Sequence, residues 1–141
     1  MNRPDLGAML MRLARQLLAV EQPILEKHDI SMWGYAVLTG LGDGPDEPMR
    51  TQAALARSIG ADKTRIITTL DELQRRGLIE REPDPADRRV RLLRLTPAGR
   101  DLLTATQTAI RAAEETVLAQ LPPADRRVFL QALQSLSDAA G

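Results

Sequence analysis

From Leu6 to Lys27 the apolar positions Leu6, Met9, Leu10, Leu13, Leu17, Val20 and Ile24 recur every three or four residues. That spacing gathers them on one face and predicts an amphipathic helix, with Pro23 expected to kink or loosen its last turn. A second helix is predicted from Ser31 to Leu41, with Ser31 as N-cap and Gly40, Gly42 and Gly44 closing it. Residues 42–48, Gly-Asp-Gly-Pro-Asp-Glu-Pro, read as a loop. Thr51 then caps a short helix with Leu55, Ala56 and Ile59 on its inner face, stopped by Gly60. Asp62 caps the next helix, Lys63 to Arg76, ended by Gly77; its apolar residues are Ile66, Ile67, Leu70 and Leu73. Two short helices across a tight Gly60-Ala61 turn make a helix-turn-helix pattern.

After Gly77 the period changes. Leu78–Glu82 and Val90–Leu95 read as strands, and residues 83–89, Pro-Asp-Pro-Ala-Asp-Arg-Arg, as the charged hairpin loop between them. Thr96-Pro97 is an N-cap followed by a first-turn proline, and it opens a long helix to the neighbourhood of Gln120. Pro122-Pro123 starts a final helix carrying Val128, Phe129, Leu130, Leu133 and Leu136. The predicted fold class is mainly α with a small β-hairpin wing (α+β). Its centre is a winged helix-turn-helix, whose second helix enters a DNA major groove.

Composition works by exclusion. A chain of 141 residues, 43% hydrophobic and 27% charged, suits one globular domain. Cysteine is absent, which excludes thiol catalysis, disulfides and thiolate metal sites. A single histidine, His28, makes a histidine metal cluster or a Ser-His-Asp triad improbable. The three aromatics, Trp33, Tyr35 and Phe129, are too few for a platform that stacks single-stranded bases. No nucleophile, base or metal constellation is visible, so no enzyme, cofactor or metal is expected. No apolar run approaches the ~18 residues of a membrane span, and the charged, proline-bearing start is not expected to be a signal peptide. The expected compartment is the cytoplasm.

The net charge of zero argues against a nucleic-acid partner until its distribution is read. Residues 1–49 carry a net of −3, residues 50–100 a net of +5 and residues 101–141 a net of −2. Arginines outnumber lysines 17 to 2, and the planar arginine fork suits phosphates and guanine edges. On the Lys63–Arg76 helix, Thr64, Thr68 and Arg75 point away from the apolar face, with Arg65 and Glu72 beside them. Lys63 lies nearer the buried side, with a stem long enough to reach out. The wing adds Arg88 and Arg89 at the hairpin tip, close to Asp84 and Asp87. An arginine on such a projection can enter a minor groove, while a neighbouring aspartate holds it extended or simply pairs with it. Two functions compete: a double-stranded DNA-binding regulator, and a winged-helix protein–protein module such as an antirepressor or scaffold. The basic middle favours the first.

Residues 70–81, Leu-Asp-Glu-Leu-Gln-Arg-Arg-Gly-Leu-Ile-Glu-Arg, precede Asp84-Pro85-Ala86-Asp87-Arg88-Arg89 and Leu95-Thr96-Pro97-Ala98-Gly99. Together they resemble the MarR family of bacterial transcription regulators, over nearly the whole chain. The resemblance implies a homodimer in which residues 1–30 and 97–141 are dimerisation helices and residues 31–96 form the DNA-binding lobe of a single domain. It implies a repressor on a pseudo-palindromic operator, nucleoid-associated when bound. By the same likeness, Lys63, Thr64, Arg65 and Thr68 contact DNA from the recognition helix, and Asp87, Arg88 and Arg89 from the wing. Trp33-Gly34 departs from the family's usual proline or polar pair, and the glycine leaves room near any pocket. Many members release DNA on binding a small aromatic or phenolic acid. Here Arg12 and Arg15, with Met32 and Trp33, offer a cation beside an aromatic wall for such an effector. The competing reading puts Met32 and Trp33 in the core and pairs the arginines with Glu21, Glu26 or Asp29.

Overall fold

The computed structural model describes residues 2–42 and 50–140. The predicted loop at residues 42–48 and the closing Gly44 therefore lie, Gly42 apart, outside the described residues. The order is α1 (Leu6–Lys27), α2 (Met32–Gly42), β1 (Arg50–Thr51), α3 (Gln52–Ile59), α4 (Lys63–Arg75), β2 (Ile79–Asp84), β3 (Asp87–Leu95), α5 (Pro97–Leu118) and α6 (Pro123–Ala140). Two compact units emerge: Met1–Ile24 with Thr108–Gly141, and Leu25–Gln107.

In the unit Leu25–Gln107, capping chemistry fixes the helix starts. The Ser31 hydroxyl accepts the Gly34 N–H at 3.0 Å, Thr51 accepts that of Ala54 at 3.0 Å, and Asp62 accepts that of Arg65 at 2.7 Å. Each satisfies an amide that the first helical turn leaves without a carbonyl. Gly60, at φ 71°, ends α3 in the left-handed conformation that side chains resist. Of the two described glycines expected to close α2, Gly42 is its last residue and Gly40 lies inside it. Gly40 is buried. Helix α1 runs past Pro23 to Lys27, the bounds expected of it.

The core of this unit includes Leu25, Val37, Leu38, Leu55, Ile66, Leu70, Leu73, Ile79 and Leu93. On α4 the buried positions are Ile66, Thr69, Leu70 and Leu73, the i, i+3, i+4, i+7 face of a helix. Ile67, expected inside, is 38% exposed because it lies a further 100° round the helix. Thr69 takes the inner place, its hydroxyl donating to the Arg65 carbonyl at 2.9 Å.

Three antiparallel strands, in the order β1-β3-β2, make the wing and its root, where the sequence predicts only two. A two-residue β1 carries too little pattern to be read. Opposed residues share a sheet face. Ile79 opposite Leu95, Arg81 opposite Leu93 and Pro83 opposite Arg91 therefore face one side, and Glu80 opposite Arg94 faces the other. That last pair is an ion pair at 2.6 Å.

The residues Leu95 to Gly99 lock α5 to the turn after α4. Thr96 accepts the Gly99 N–H at 3.0 Å and donates its hydroxyl to the Gly77 carbonyl at 2.6 Å. Its own N–H reaches the Leu78 carbonyl at 3.1 Å. Gly77 holds φ 74°, and Gly99 sits so close to Leu78 that a methyl group would overlap its carbonyl oxygen.

In the other unit, α6 has no buried residue, and Val128 and Leu136 are 63% and 66% exposed. Arg126 pairs with Glu115. Glu21 is half-buried on α1 beside Glu114 of α5; burial first, then the hydrogen bond and repulsion from Glu114, push its carboxyl up to about 7.

Two consequences are measurable. Alanine normally beats glycine inside a helix by about 1 kcal/mol. At Gly99 the blocking group is backbone, so the overlap reverses that sign, and Gly99→Ala should lower unfolding free energy by about 2 kcal/mol or more in urea titrations. A Gly99→Ala chain as stable as wild type would contradict the packing.

Glu21 concerns pH. Between its ordinary 4.5 and about 7 the folded chain keeps a proton that the unfolded chain releases. The associated stability is full below the lower value and lost as pH rises through the upper one. Glu21→Gln should therefore raise Tm near about pH 8 and change it little near about pH 4.

Candidate nucleic-acid interface

The unit Leu25–Gln107 leaves the predicted recognition residues open to solvent at the start of α4. Lys63, Thr64, Arg65 and Thr68 are all exposed on the first two turns of α4. The Asp62 cap anchors the first turn through the Arg65 N–H. The Thr68 hydroxyl donates back to the Thr64 carbonyl at 3.1 Å, which leaves its oxygen free to accept. Lys63 needs no long reach, since it is exposed where it stands.

The wing differs from the expected seven-residue loop. Its strands extend to Asp84 and Asp87, and only Pro85-Ala86 forms the turn. Arg88 and Arg89 therefore begin β3 rather than occupying the tip. The ladder shifts register between Pro83 and Asp84, passing from the Pro83–Arg91 pair to the Asp84–Asp87 pair. Proline supplies no N–H to a ladder, and a bulge at this point is the usual accommodation. Arg88 and Arg89 lie within the bulged stretch.

The two wing arginines are not equivalent. Asp87 accepts the Arg89 backbone N–H and its Nε at 3.1 Å, and its Nη2 at 3.2 Å. These hydrogen bonds hold the Asp87 carboxyl below the usual carboxylate range. Arg89 nonetheless remains 90% exposed, so it is aligned rather than withdrawn. Among the described residues no carboxylate pairs with Arg88. Asp84 instead accepts the Ala86 N–H at 2.9 Å and tightens the turn.

Sequence reasoning missed three features. A groove of about 420 Å³ is lined by Ala53, Ala56, Ile66 and Val90 with the cations Lys63, Arg89 and Arg91. Alternation along β3 puts Arg91 on the Leu93 face, a signal that the sequence carries but that only the strand register fixes. Arg81 braces the wing root, donating Nε to Gln74 at 2.6 Å and Nη2 to Asp71 at 2.5 Å. Thirdly, the Arg65 guanidinium carbon lies 6.0 Å from the centroid of the Trp33 ring. No local sequence signal joins those two residues.

The suggested effector residues fall in different units. Exposed Arg12 and Arg15 belong to the unit containing α6, and exposed Met32 and half-buried Trp33 to the winged one. Asp29, considered as a partner for the arginines, lies 3.8 Å from Arg76. The room expected at Gly34 is taken, because a Cβ there would lie 3.0 Å from Ile30 Cγ1. Among the described residues no three His, Asp or Glu side chains gather as a metal site, and no helix is long and apolar enough to cross a membrane.

A capped helix pair, an exposed polar and cationic second helix and a basic antiparallel wing define a winged helix-turn-helix protein. Residues 28–90 match the model of the MarR family. Over 114 residues the chain is 30% identical to the transcriptional regulator HosA of Escherichia coli O111:H-, covering 81% of this chain and 82% of that one. A MarR-family regulator from Rhodococcus sp. RHA1 superposes with a TM-score of 0.83 at 27% identity, covering 94% of this chain and 92% of its own. CouR from Rhodococcus jostii RHA1, solved bound to p-coumaroyl-CoA, gives 0.77 at 28% identity over 94% and 92%. The chain belongs to the MarR family of winged helix-turn-helix transcriptional regulators.

Proposed function

We propose that the chain is a repressor that binds a pseudo-palindromic operator as a homodimer and acts by binding, without catalysis. The observation that carries this reading is the exposed face of α4, with Lys63, Thr64, Arg65 and Thr68, in the same compact unit as a wing bearing Arg88 and Arg89. Arg65 carries a base-reading fork; the wing arginines supply phosphate or minor-groove contacts, with Asp87 holding Arg89 extended. The residue ranges 1–30 and 97–141 serve dimerisation, and 31–96 the DNA-binding lobe.

The dimer is supported by apolar side chains that a single chain leaves in water. Leu6, Leu10, Met11 and Leu18 on α1, and Val128, Leu130, Leu133 and Leu136 on α6, are exposed. So much apolar surface on two helices marks an interface rather than scattered exposure. Half-sites about one helical turn apart would match a two-fold dimer, with affinity on the order of nanomolar. In this reading the regulator works in the cytoplasm, on the nucleoid.

Arg65→Ala should cost about 1–3 kcal/mol of operator affinity and relax specificity at one base position. Arg88→Ala and Arg89→Ala should weaken binding to many sequences alike and flatten its salt dependence. Sedimentation run beside these titrations should give a dimer at micromolar concentration. Unchanged affinity in all three variants, or a stable folded monomer, would overturn the reading.

A small anionic aromatic effector, bound in the winged unit beside Met32 and Trp33, extends the proposal; Arg12 and Arg15 belong to the other unit. CouR's p-coumaroyl-CoA carries an aromatic acyl group, which supports this class of ligand. Coupling of about 1–3 kcal/mol between effector and operator is expected. Salicylate-like acids should quench Trp33 and release DNA. If such acids do neither, the effector reading is wrong.

A further inference from the structure

The arginines around the wing are mostly held by carboxylates: Arg81 by Asp71, Arg89 by Asp87 and Arg94 by Glu80. Arg65 is held differently. Among the described residues no carboxylate pairs with its guanidinium, which stands 6.0 Å from the Trp33 ring centroid, within the range of a cation–π attraction. The distinction matters chemically. A carboxylate accepts the in-plane N–H donors of the fork, whereas an aromatic face attracts the cation without accepting them. A guanidinium held on indole thus keeps the donors that a guanine edge requires.

Both partners stand on fixed backbone. The Arg65 N–H is bonded to Asp62 at 2.7 Å and its carbonyl accepts the Thr69 hydroxyl at 2.9 Å. Trp33 lies in the first turn of α2, which Ser31 caps through the Gly34 N–H and Ile30 packs against. The long arginine side chain is the only loose part of this arrangement, and an exposed arginine has many rotamers to lose on binding.

We propose that Trp33 is a positioning residue for Arg65, restricting the guanidinium before DNA arrives and leaving its donors free to read a base. The proposal rests on Arg65 reading DNA, as argued above. It also gives α2 a direct line to the recognition helix: whatever occupies or turns the Trp33 ring alters the pose of Arg65.

The test is a double-mutant cycle on a duplex selected by the wild-type chain from a random pool. Trp33→Leu should weaken binding about two- to fivefold, the span of an exposed cation–π contact. Trp33→Phe should restore most of the loss, and Trp33→Leu should cost nothing further in an Arg65→Ala background. Because Trp33 is the single tryptophan, Arg65→Ala should also shift the emission of the DNA-free protein, a readout that does not depend on altering Trp33. Equal losses from Trp33→Leu in both backgrounds, tighter binding by that variant, or unaltered emission would overturn the positioning role alone. An Arg65→Ala chain that binds the duplex as wild type does would overturn the DNA-reading role of Arg65 as well.

Discussion

The winged unit depends on one knot of backbone where Gly77-Leu78 meets Thr96–Gly99. The Thr96 hydroxyl joins the Gly77 carbonyl to the Gly99 amide, and its N–H holds the Leu78 carbonyl. Four element ends converge there: the finish of α4, the start of β2, the finish of β3 and the start of α5. Leu78 is buried, so its carbonyl has little recourse to water, and the bond from Thr96 satisfies it. The close approach leaves no room for a side chain at Gly99, and the φ of Gly77 disfavours one there too. A recognition helix is useful only if its angle to the wing is fixed, and this knot sets where the wing begins relative to α4.

Much of this was legible in the sequence, for a physical reason. Caps are local: Ser31, Thr51, Asp62 and Thr96 satisfy amides three residues along, so a single residue type at the right offset announces a helix start. Gly60 and Gly77 announced helix ends because φ near +70° is a property of one residue. Helical period alone turned Thr64, Arg65 and Thr68 outward on α4, whereas it set Lys63 nearer the buried side.

The remainder needed tertiary partners. Strand β1 exists because β3 offers it an edge, which no property of Arg50 or Thr51 declares. The wing turn shrank to Pro85-Ala86 because Asp84 and Asp87 can pair across it despite their turn-forming character. Thr69 is buried and Ile67 exposed because position on the helix, set by angle, outweighs the hydropathy of the single residue. The Trp33–Arg65 contact joins two helices far apart in sequence, and only the packing of α2 beside α4 creates it. Electrostatics follow the same division: segment sums reveal a basic middle, but not which arginines carboxylates already hold.

The central claim is that this basic winged unit reads a two-fold DNA site. Selection of bound duplexes from a random pool tests it most directly. The account predicts enrichment of one pseudo-palindrome with half-sites about one helical turn apart, and loss of preference at a symmetric base pair in each half-site when Arg65 is replaced by alanine. A pool with no enriched sequence, or a single unrepeated half-site bound as tightly as the pair, would contradict it.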